Sequence, residues 1–281
     1  MQLNRIINAD CLEAMKEIPD KSISLIVTDL PYGQTHNHWD TVIPFEPLWK
    51  QYERIIKDNG AIILFSQGMF TAKLMMSNPK LWRYNLVWKK GNRISGFLNA
   101  KRQPLRNHED ICVFYKKQPI YHPQFTQGKP LHARGSGKHK FTNNNYGEFR
   151  ELEDTRAGST EKYPISVLDF DRPHPAIHGT EKPVDLIAYI IRTYSNVGDT
   201  VLDSCAGSGT TAIAAIQEKR NWFCIEKDTE IYQLAKKRIE NLTICPICGK
   251  VLKWSERETF YVWDGFTYCK DCGDNILQSY S

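Results

Sequence analysis

The sequence predicts an α/β fold in which a doubly wound parallel sheet carries helices on both faces. Short apolar, β-branched runs alternate with helix-like patterns of apolar residues. A glycine-rich turn at residues 203–210 joins one such strand to a helix. The chain has 281 residues, 41% of them apolar, which is enough for one domain of this kind and a small appendage.

The alternation covers both ends of the chain. Strands are predicted at Leu3–Asn8, Ile23–Thr28, Ala61–Phe65, Leu86–Trp88, Ile111–Tyr115, Thr200–Asp203 and Trp222–Glu226. Helices are predicted at Leu12–Ile18, Phe45–Ile56, Met69–Met76, Glu181–Tyr194, from Thr210, and at Thr229–Asn241. Asn59-Gly60 predicts the end of the second helix. From about residue 116 to 175 Pro, Gly, Asn, His and Lys dominate, which predicts an irregular insertion.

Charge is unevenly distributed along the chain. Its net charge is +5, but residues 91–150 contain eleven Lys and Arg against three acids. This segregation favours a segment that faces a polyanion, although a solvated basic loop would give the same count. No run approaches the ~20 apolar residues of a membrane span, and the N-terminus lacks the pattern of a signal peptide. We therefore expect a cytoplasmic protein that does not engage membranes.

The turn after Thr200–Asp203 has the features of a nucleoside site. Gly207 and Gly209 allow a ligand to approach the backbone, and Glu226, at the end of the next predicted strand, can accept hydrogen bonds from ribose hydroxyls. A phosphate-binding P-loop would need a Lys before Thr210, and there is none. A nicotinamide site and a tight packing turn remain alternatives.

The position of this turn near the C-terminus predicts a circularly permuted order. Only one strand and one helix follow it before Cys245, so the remaining strands of the sheet have to come from the N-terminal half. Residues 3–10 would then continue the sheet beside Trp222–Glu226. Asp10 would lie at a strand end, where it could accept a hydrogen bond from an adenine amino group or cap the following helix.

A tetrapeptide at the end of the second predicted strand has the composition of a catalytic loop. An exocyclic base amine is a poor nucleophile because its lone pair is delocalised into the ring. The Asp29 carboxylate and the Leu30 carbonyl could accept its two N–H bonds, while the Tyr32 ring could stack on an extruded base. Pro31 biases Leu30 toward extended backbone. Alone, the tetrapeptide could equally be an ordinary loop.

Together these motifs resemble the β-class amino-methyltransferases of DNA. Asp29-Leu-Pro-Tyr32 is similar to that family's D-P-P-Y motif, and residues 178–183 resemble its H-P-x-x-K-P entrance to the cofactor helix. Asp203-Ser-Cys-Ala-Gly-Ser-Gly-Thr210 is similar to its D-P-F-x-G-S-G-T loop. The resemblance covers residues 1 to about 242. Leu30, Ser204 and Cys205 depart from it, and the last two remove an aromatic wall near the cofactor.

The resemblance implies a Rossmann-like fold dependent on S-adenosylmethionine, with transfer of its methyl group to N6 of a flipped adenine in double-stranded DNA. Asp29 favours adenine because cytosine-N4 members often carry Ser at this position. The alternatives are cytosine-N4 transfer, methylation of RNA or of a glutamine amide, and a catalytically silent DNA-binding regulator. The residues implied to hold the cofactor are Asp10, Lys182, Pro183, Asp203, Cys205, Gly207, Ser208, Gly209, Thr210 and Glu226.

The resemblance also divides the chain. It implies a catalytic half (1–117), a basic target-recognition insertion (118–172) and a cofactor half (173–242). The best candidates for phosphate contacts are Lys101, Arg102 and Arg106. A modification enzyme of a bacteriophage or of a restriction-modification system fits this pattern, with a homodimer compatible and a cognate nuclease not required.

Two cysteine pairs near the C-terminus predict a metal site. Cys245, Cys248, Cys269 and Cys272 are spaced C-x2-C-x20-C-x2-C, which is typical of a structural zinc ribbon, here residues 243–281. Iron tolerates the same ligands. His36, His38 and Trp39 follow the tetrapeptide but have no ligand cluster near them in the sequence, so no chemistry is assigned to them.

Overall fold

The computed structural model describes residues 1–35, 37, 40–91, 94–130, 158–173, 181–245, 247, 251–252, 261–263 and 266–279. The predictions made for His36, His38, Trp39, residues 178–180 and Cys248 lie outside these residues. The chain forms two compact units. One combines residues 1–122 with 166–281, and the other is residues 123–165.

The elements occur in the following order along the chain. The strands are β1 (Arg5–Asn8), β2 (Ile23–Asp29), β3 (Ile56–Ser66), β4 (Trp82–Lys89), β5 (His108–Phe114), β6 (Thr126–Gln127), β7 (Glu161–Lys162), β8 (Val167–Asp169), β9 (Thr200–Asp203), β10 (Asn221–Glu226), β11 (Thr243–Ile244), β12 (Val251–Leu252), β13 (Tyr261–Trp263) and β14 (Phe266–Tyr268). The α-helices are α1 (Cys11–Ala14), α2 (Phe45–Ile55), α3 (Met69–Ser77), α4 (Val184–Tyr194), α5 (Thr210–Gln217), α6 (Thr229–Glu240) and α7 (Lys270–Ser279).

The large unit is built on a sheet with the strand order β1-β10-β9-β2-β3-β5-β4-β8. The N-terminal strand β1 pairs in parallel with β10, from Arg5 opposite Phe223 to Asn8 opposite Glu226. Strand β9 lies between β10 and β2 and is parallel to both. The two ends of the chain therefore build adjacent strands of one sheet, as the sequence predicted for residues 3–10.

The sheet is mixed, whereas the sequence predicted a parallel one. Strand β5 is antiparallel to both β3 and β4. The reason is its connection: β4 and β5 are joined by the loop of residues 90–107 instead of a crossover helix, so the chain returns in the opposite direction. A second difference is β8, which pairs in parallel with β4 inside the region predicted to be irregular.

Side chains of the central strands alternate between two apolar layers. Leu25 and Val27 of β2 pack into the layer formed with α4 and α5. Ile26, between them, packs into the opposite layer with Leu48 and Tyr52 of α2. This alternation is the period of two that a strand covered on both faces requires. Helices on both faces of the sheet are thus confirmed.

Helix α2 ends at Ile55, within one residue of the predicted Ile56. Asn59-Gly60, expected to supply the stop signal, lies inside β3. A Cβ on Gly60 would come within 2.8 Å of the Ser24 carbonyl oxygen on the neighbouring strand. Glycine is therefore explained by a close approach of two backbones, since the helix has already ended four residues before Asn59.

The smaller unit, residues 123–165, contains an antiparallel pair of short strands. Thr126 and Gln127 of β6 lie opposite Lys162 and Glu161 of β7. The Phe125 and Tyr163 rings lie beside this pair, with their centroids 4.9 Å apart. Elsewhere, β11 pairs with β12 and β13 with β14, both antiparallel. Among the described residues, no helix has the length and apolarity needed to cross a bilayer.

Candidate active site

The carboxyl ends of β2, β9 and β10 open onto one cavity of about 790 Å³. Because these strands are parallel, their ends lie at the same edge of the sheet. The predicted site residues that line it are Asp10, Asp29, Leu30, Pro31, Tyr32, Arg106, Lys182, Asp203, Cys205, Gly207, Ser208, Thr210 and Glu226. Pro183 and Gly209 lie just outside the lining and immediately precede α4 and α5. Segments about 170 residues apart in the sequence thus share one cavity of ligand size.

The tetrapeptide follows β2 directly and is anchored on both sides. The Leu30 side chain is buried in the core, which fixes the backbone between Asp29 and Pro31. The Tyr32 hydroxyl donates a hydrogen bond of 2.6 Å to Asp29 Oδ1. Its ring packs against Phe70, with centroids 4.9 Å apart. Asp40 closes the next segment by accepting hydrogen bonds from the backbone N–H groups of residues 33–35.

Asp29 is part of a buried chain of alternating charges. Lys182 Nζ donates a short hydrogen bond to Asp29 Oδ2 and lies 3.2 Å from Glu109 Oε2. Lys90 Nζ donates to Glu109 Oε1 at 2.5 Å. The Phe65 ring lies below Lys182, 5.1 Å from its ammonium group. The order Asp29–Lys182–Glu109–Lys90 places the Lys182 cation between the two carboxylates and the Lys90 cation on the far side of Glu109.

These neighbours determine which groups carry charge. Burial raises the pKa of Asp29, and the nearby Lys182 charge opposes that rise. Burial would lower the pKa of Lys182, but Asp29 and Glu109 together raise it above the usual lysine value. Burial raises the pKa of the Tyr32 hydroxyl, and the adjacent Asp29 charge raises it further. Tyr32 therefore remains a neutral donor and Lys182 a cation at neutral pH.

The glycine loop is held by two buried carboxylates. Asp203 accepts hydrogen bonds from the Cys205 N–H (3.1 Å) and the Thr211 hydroxyl (2.6 Å). Glu226 Oε2 accepts one from the Gly207 N–H (2.8 Å). Burial raises the pKa of Asp203 to about 7 and raises that of Glu226 above its usual value. Each carboxylate retains free lone pairs, so Glu226 can also accept hydrogen bonds from ribose hydroxyls.

Ser204, one of the departures from the family pattern, joins two strand ends. Its N–H donates to Thr28 Oγ1 at 3.1 Å, and its hydroxyl lies 2.6 Å from the Tyr52 hydroxyl. A proline at this position would have no N–H to donate. The substitution therefore replaces a rigid residue by a hydrogen bond between β9 and β2.

Residues outside the glycine loop hold Asp10 and Ser208 in place. Asp10 caps α1 by accepting from the Leu12 N–H at 2.9 Å, and its second oxygen lies 3.1 Å from Lys227 Nζ. Arg238 of α6 donates to the Ser208 carbonyl and pairs with buried Glu181 at 2.6 Å. Asp10 thus has the capping role considered from the sequence, and its position in the cavity lining leaves the ligand role compatible with it.

Three basic residues of the loop between β4 and β5 are exposed, and one of them reaches the cavity. Lys101 and Arg102 lie on the exposed part of this loop. Arg106 lines the cavity and donates to Gln67 Oε1 at 2.5 Å. The three predicted phosphate contacts are therefore on one loop that reaches the cavity.

Three of the four predicted metal ligands meet in the C-terminal region. The sulfur atoms of Cys245, Cys269 and Cys272 all lie within 4.8 Å of one another. Tetrahedral zinc bound by thiolates, with Zn–S near 2.3 Å, needs sulfur atoms about 3.8 Å apart. The three thiols are compatible with that spacing.

Sequence reasoning missed Glu109, Lys90 and Arg238. Lys90 is the first residue of the loop between β4 and β5, Glu109 is the second residue of β5, and no local motif marks either. The one available signal was a charged residue next to an apolar strand. Such a residue needs a partner of opposite charge when it is buried. Their partners are distant in the sequence, so the contacts could not be inferred from spacing.

Comparison with known proteins shows the family of this chain. The sequence profile of the N6_N4_Mtase family, described as DNA methylase, matches residues 23–237. The chain belongs to this family of DNA methylases. Among relatives, the Type II methyltransferase M1.MboII of Moraxella bovis is 28% identical, with 87% of this chain and 99% of that protein covered. The Type II methyltransferase M.HinfI of Haemophilus influenzae is 26% identical, with 85% and 69% covered.

Solved structures show that this DNA methylase shares its α/β fold with known methyltransferases. The crystal structure of the M1.HpyAVI–SAM complex has a TM-score of 0.57 at 23% identity, covering 85% of this chain and 99% of that one. The PvuII DNA methyltransferase, described as cytosine-N4-specific, has a TM-score of 0.59 at 14% identity, covering 84% and 89%.

Proposed function

We propose that this DNA methylase transfers a methyl group from S-adenosylmethionine to N6 of an adenine extruded from double-stranded DNA. The observation that supports this most is the shared cavity, in which the Asp29 carboxylate and the glycine loop line one space of about 790 Å³. Methyl transfer requires that the group holding the target amine and the site holding the nucleoside cofactor lie side by side. The family membership supports the same reaction class.

The cofactor half of the cavity suits S-adenosylmethionine. Glu226 has lone pairs for ribose hydroxyls, and a Cβ at Gly207 would meet no atom within 4 Å, so the backbone is accessible there. Asp10, Cys205, Ser208 and Thr210 supply the remaining polar lining, and Asp203, Gly209 and Pro183 shape the turns. The bound cofactor would supply an electrophilic methyl group. This is also the arrangement expected of a circularly permuted methyltransferase fold.

The catalytic half would align the target amine. Asp29 and the Leu30 carbonyl accept its two N–H bonds, which directs the nitrogen lone pair into the cavity. Lys182 holds the second Asp29 oxygen, and Tyr32 donates to the first, so the carboxylate cannot rotate freely. Each Asp29 oxygen still has a lone pair for the amine. The Tyr32 ring and Pro31 offer apolar surface to a base.

Nucleoside mass spectrometry of DNA treated with the purified protein and S-adenosylmethionine tests this proposal. We expect N6-methyladenine. We further expect Asp29→Ala to lower kcat by about 10²–10³-fold, because an interaction made at the reacting nitrogen is lost, while cofactor affinity is retained. N4-methylcytosine as the product would favour the cytosine reaction, for which the fold likeness to the PvuII enzyme gives some precedent. Unmodified DNA would indicate a silent DNA-binding protein.

For substrate recognition we propose that residues 118–172 form the target-recognition region and that Lys101, Arg102 and Arg106 contact phosphates. The exposure of Lys101 and Arg102, and the position of Arg106 at the cavity, support these contacts. One duplex and one active site suffice for the reaction, so a homodimer and a cognate nuclease are not required.

We also propose a structural zinc ion held by Cys245, Cys269, Cys272 and, from its spacing, Cys248. The clustering of three thiols supports it. Elemental analysis of protein expressed with zinc should find about one zinc per chain, and Cys269→Ser should lower that content. Iron in its place, or protein free of both metals, would contradict the assignment.

A further inference from the structure

The loop between β4 and β5 presents large apolar side chains to solvent. Phe97 is 74% exposed and Leu98 is 84% exposed, and Ile94, three residues before Phe97 in the sequence, is 52% exposed. Exposed apolar residues are ordinary when isolated, but three within five positions of one loop form a patch. Such a patch on an ordered loop indicates a binding surface.

The tip of this loop is held in one shape. Ser95 and Arg106 exchange two backbone hydrogen bonds of 2.7 and 3.1 Å, which close its base. Phe97–Asn99 forms a turn of 3-10 helix, and the Asn99 carbonyl accepts hydrogen bonds from the N–H groups of Arg102 and Gln103. Because the backbone is ordered in this way, the exposure of Phe97 and Leu98 is a feature of the folded loop.

The base of the loop lies at the active-site cavity. Ser95 and Arg106 both line it, and Arg106 is hydrogen-bonded to Gln67, a further lining residue. The apolar tip therefore projects from the same loop that forms part of the cavity wall. An object that binds the tip also lies near the cavity that holds Asp29.

The charge on this loop identifies the occupant. Lys101 and Arg102 follow the apolar tip, and no acid lies between Gly91 and His108. A surface that combines cations with apolar side chains suits a DNA duplex, whose phosphates flank stacked bases. A base that leaves the stack creates an apolar gap, and unstacking costs free energy that inserted side chains can offset.

We propose that Phe97 and Leu98 form a wedge that enters the DNA stack where the target base leaves it. This inference rests on the proposed function and adds to it the residues that support base extrusion. Lys101 and Arg102 hold the backbone beside the insertion, and the wedge acts on the duplex without touching the reacting atoms.

The test compares two substrates with a Phe97→Ala/Leu98→Ala variant. One is an intact duplex containing the methylated sequence, identified first by mapping modified bases in treated genomic DNA. The other is the same duplex with an abasic site opposite the target, where extrusion costs less. We expect kcat/KM to fall at least about tenfold on the intact duplex and to stay within about threefold of wild type on the abasic one.

Two controls separate a wedge from other roles. Val197→Ala shortens an apolar side chain that is 68% exposed on the α4–β9 connection. It should leave kcat/KM on both substrates unchanged. Lys101→Ala should lower kcat/KM by the same factor on both substrates, as loss of a phosphate contact does. If kcat/KM of the Phe97→Ala/Leu98→Ala variant falls by the same factor on both substrates, or does not fall on either, the inference is wrong. If the wild-type enzyme modifies neither DNA, the proposed function fails instead.

Discussion

Lys182 is the single residue on which the charge of Asp29 most depends. In the Lys182→Met variant, Asp29 and Glu109 would lie in a buried site without the cation between them. Burial and the like charge would then raise the pKa of Asp29 further. Since Asp29 has to be ionised to accept hydrogen bonds from the target amine, the acidic limb of the pH–rate profile should move to higher pH.

The controls for this prediction use the same chain. Lys182→Arg retains the charge and should restore part of the activity near neutral pH. Lys236→Met removes a half-exposed lysine of α6 and should leave the profile unchanged. An unshifted limb in Lys182→Met would show that Asp29 does not titrate in the reaction.

Asp203 makes stability depend on pH. Its folded-state pKa of about 7 lies above the ordinary aspartate value of 3.8, so the folded protein holds this proton more tightly than the unfolded chain. The free energy of unfolding that this tighter proton binding contributes is lost as pH rises from about 4 to 7. Between pH 5 and 8, urea titrations should show Asp203→Asn gaining roughly 2–3 kcal/mol of unfolding free energy relative to wild type. A constant difference between the two proteins would contradict the shifted pKa.

Among the elements, the turn from β9 into α5 requires glycine backbone. Gly207 has a φ of +51°, and a Cβ there would meet no atom within 4 Å. Gly207→Ala should therefore cost about 1–2 kcal/mol of stability from backbone strain alone. It should also weaken S-adenosylmethionine binding, because the added methyl group occupies space at the cavity lining.

Gly198→Ala is the matched control for that prediction. Gly198 also has a positive φ, +83°, and equally open surroundings, but it is not part of the cavity lining. Thermal unfolding should show similar losses for the two variants, and calorimetric titration with S-adenosylmethionine should separate them. Equal affinities would show that Gly207 does not approach the ligand.

The sequence predicted those elements whose signal is local. Strand β2 and the loop after β9 follow from apolar runs and glycine spacing, and so do Asp29 and Gly207 within them. The direction of β5 could not be predicted because an apolar run has the same composition in either direction. Glu109 and Lys90 were missed because their chemistry depends on Lys182, a partner more than 70 residues away from either.

In the whole molecule, residues 123–165 form a compact unit of their own. If they belong to the target-recognition region, replacing them by a short flexible linker should abolish site-specific methylation while S-adenosylmethionine still binds. The expected reason is that the described residues lining the cavity all lie in the other unit. Calorimetric titration and nucleoside analysis of the same preparation would check both parts. Loss of cofactor binding would show that the two units fold together.

The pairing of β1 with β10 has a consequence for the nascent chain. Residues 5–8 are synthesised first, but within the part of the chain that the structure describes their sheet neighbour is β10, which ends at Glu226. While ribosomes are still adding the roughly 200 intervening residues, that first strand lacks its partner β10. Completion of the cofactor edge is thus a late event in synthesis by topology alone, and a polypeptide that has not reached β10 would carry Asp29 without a nucleoside pocket beside it.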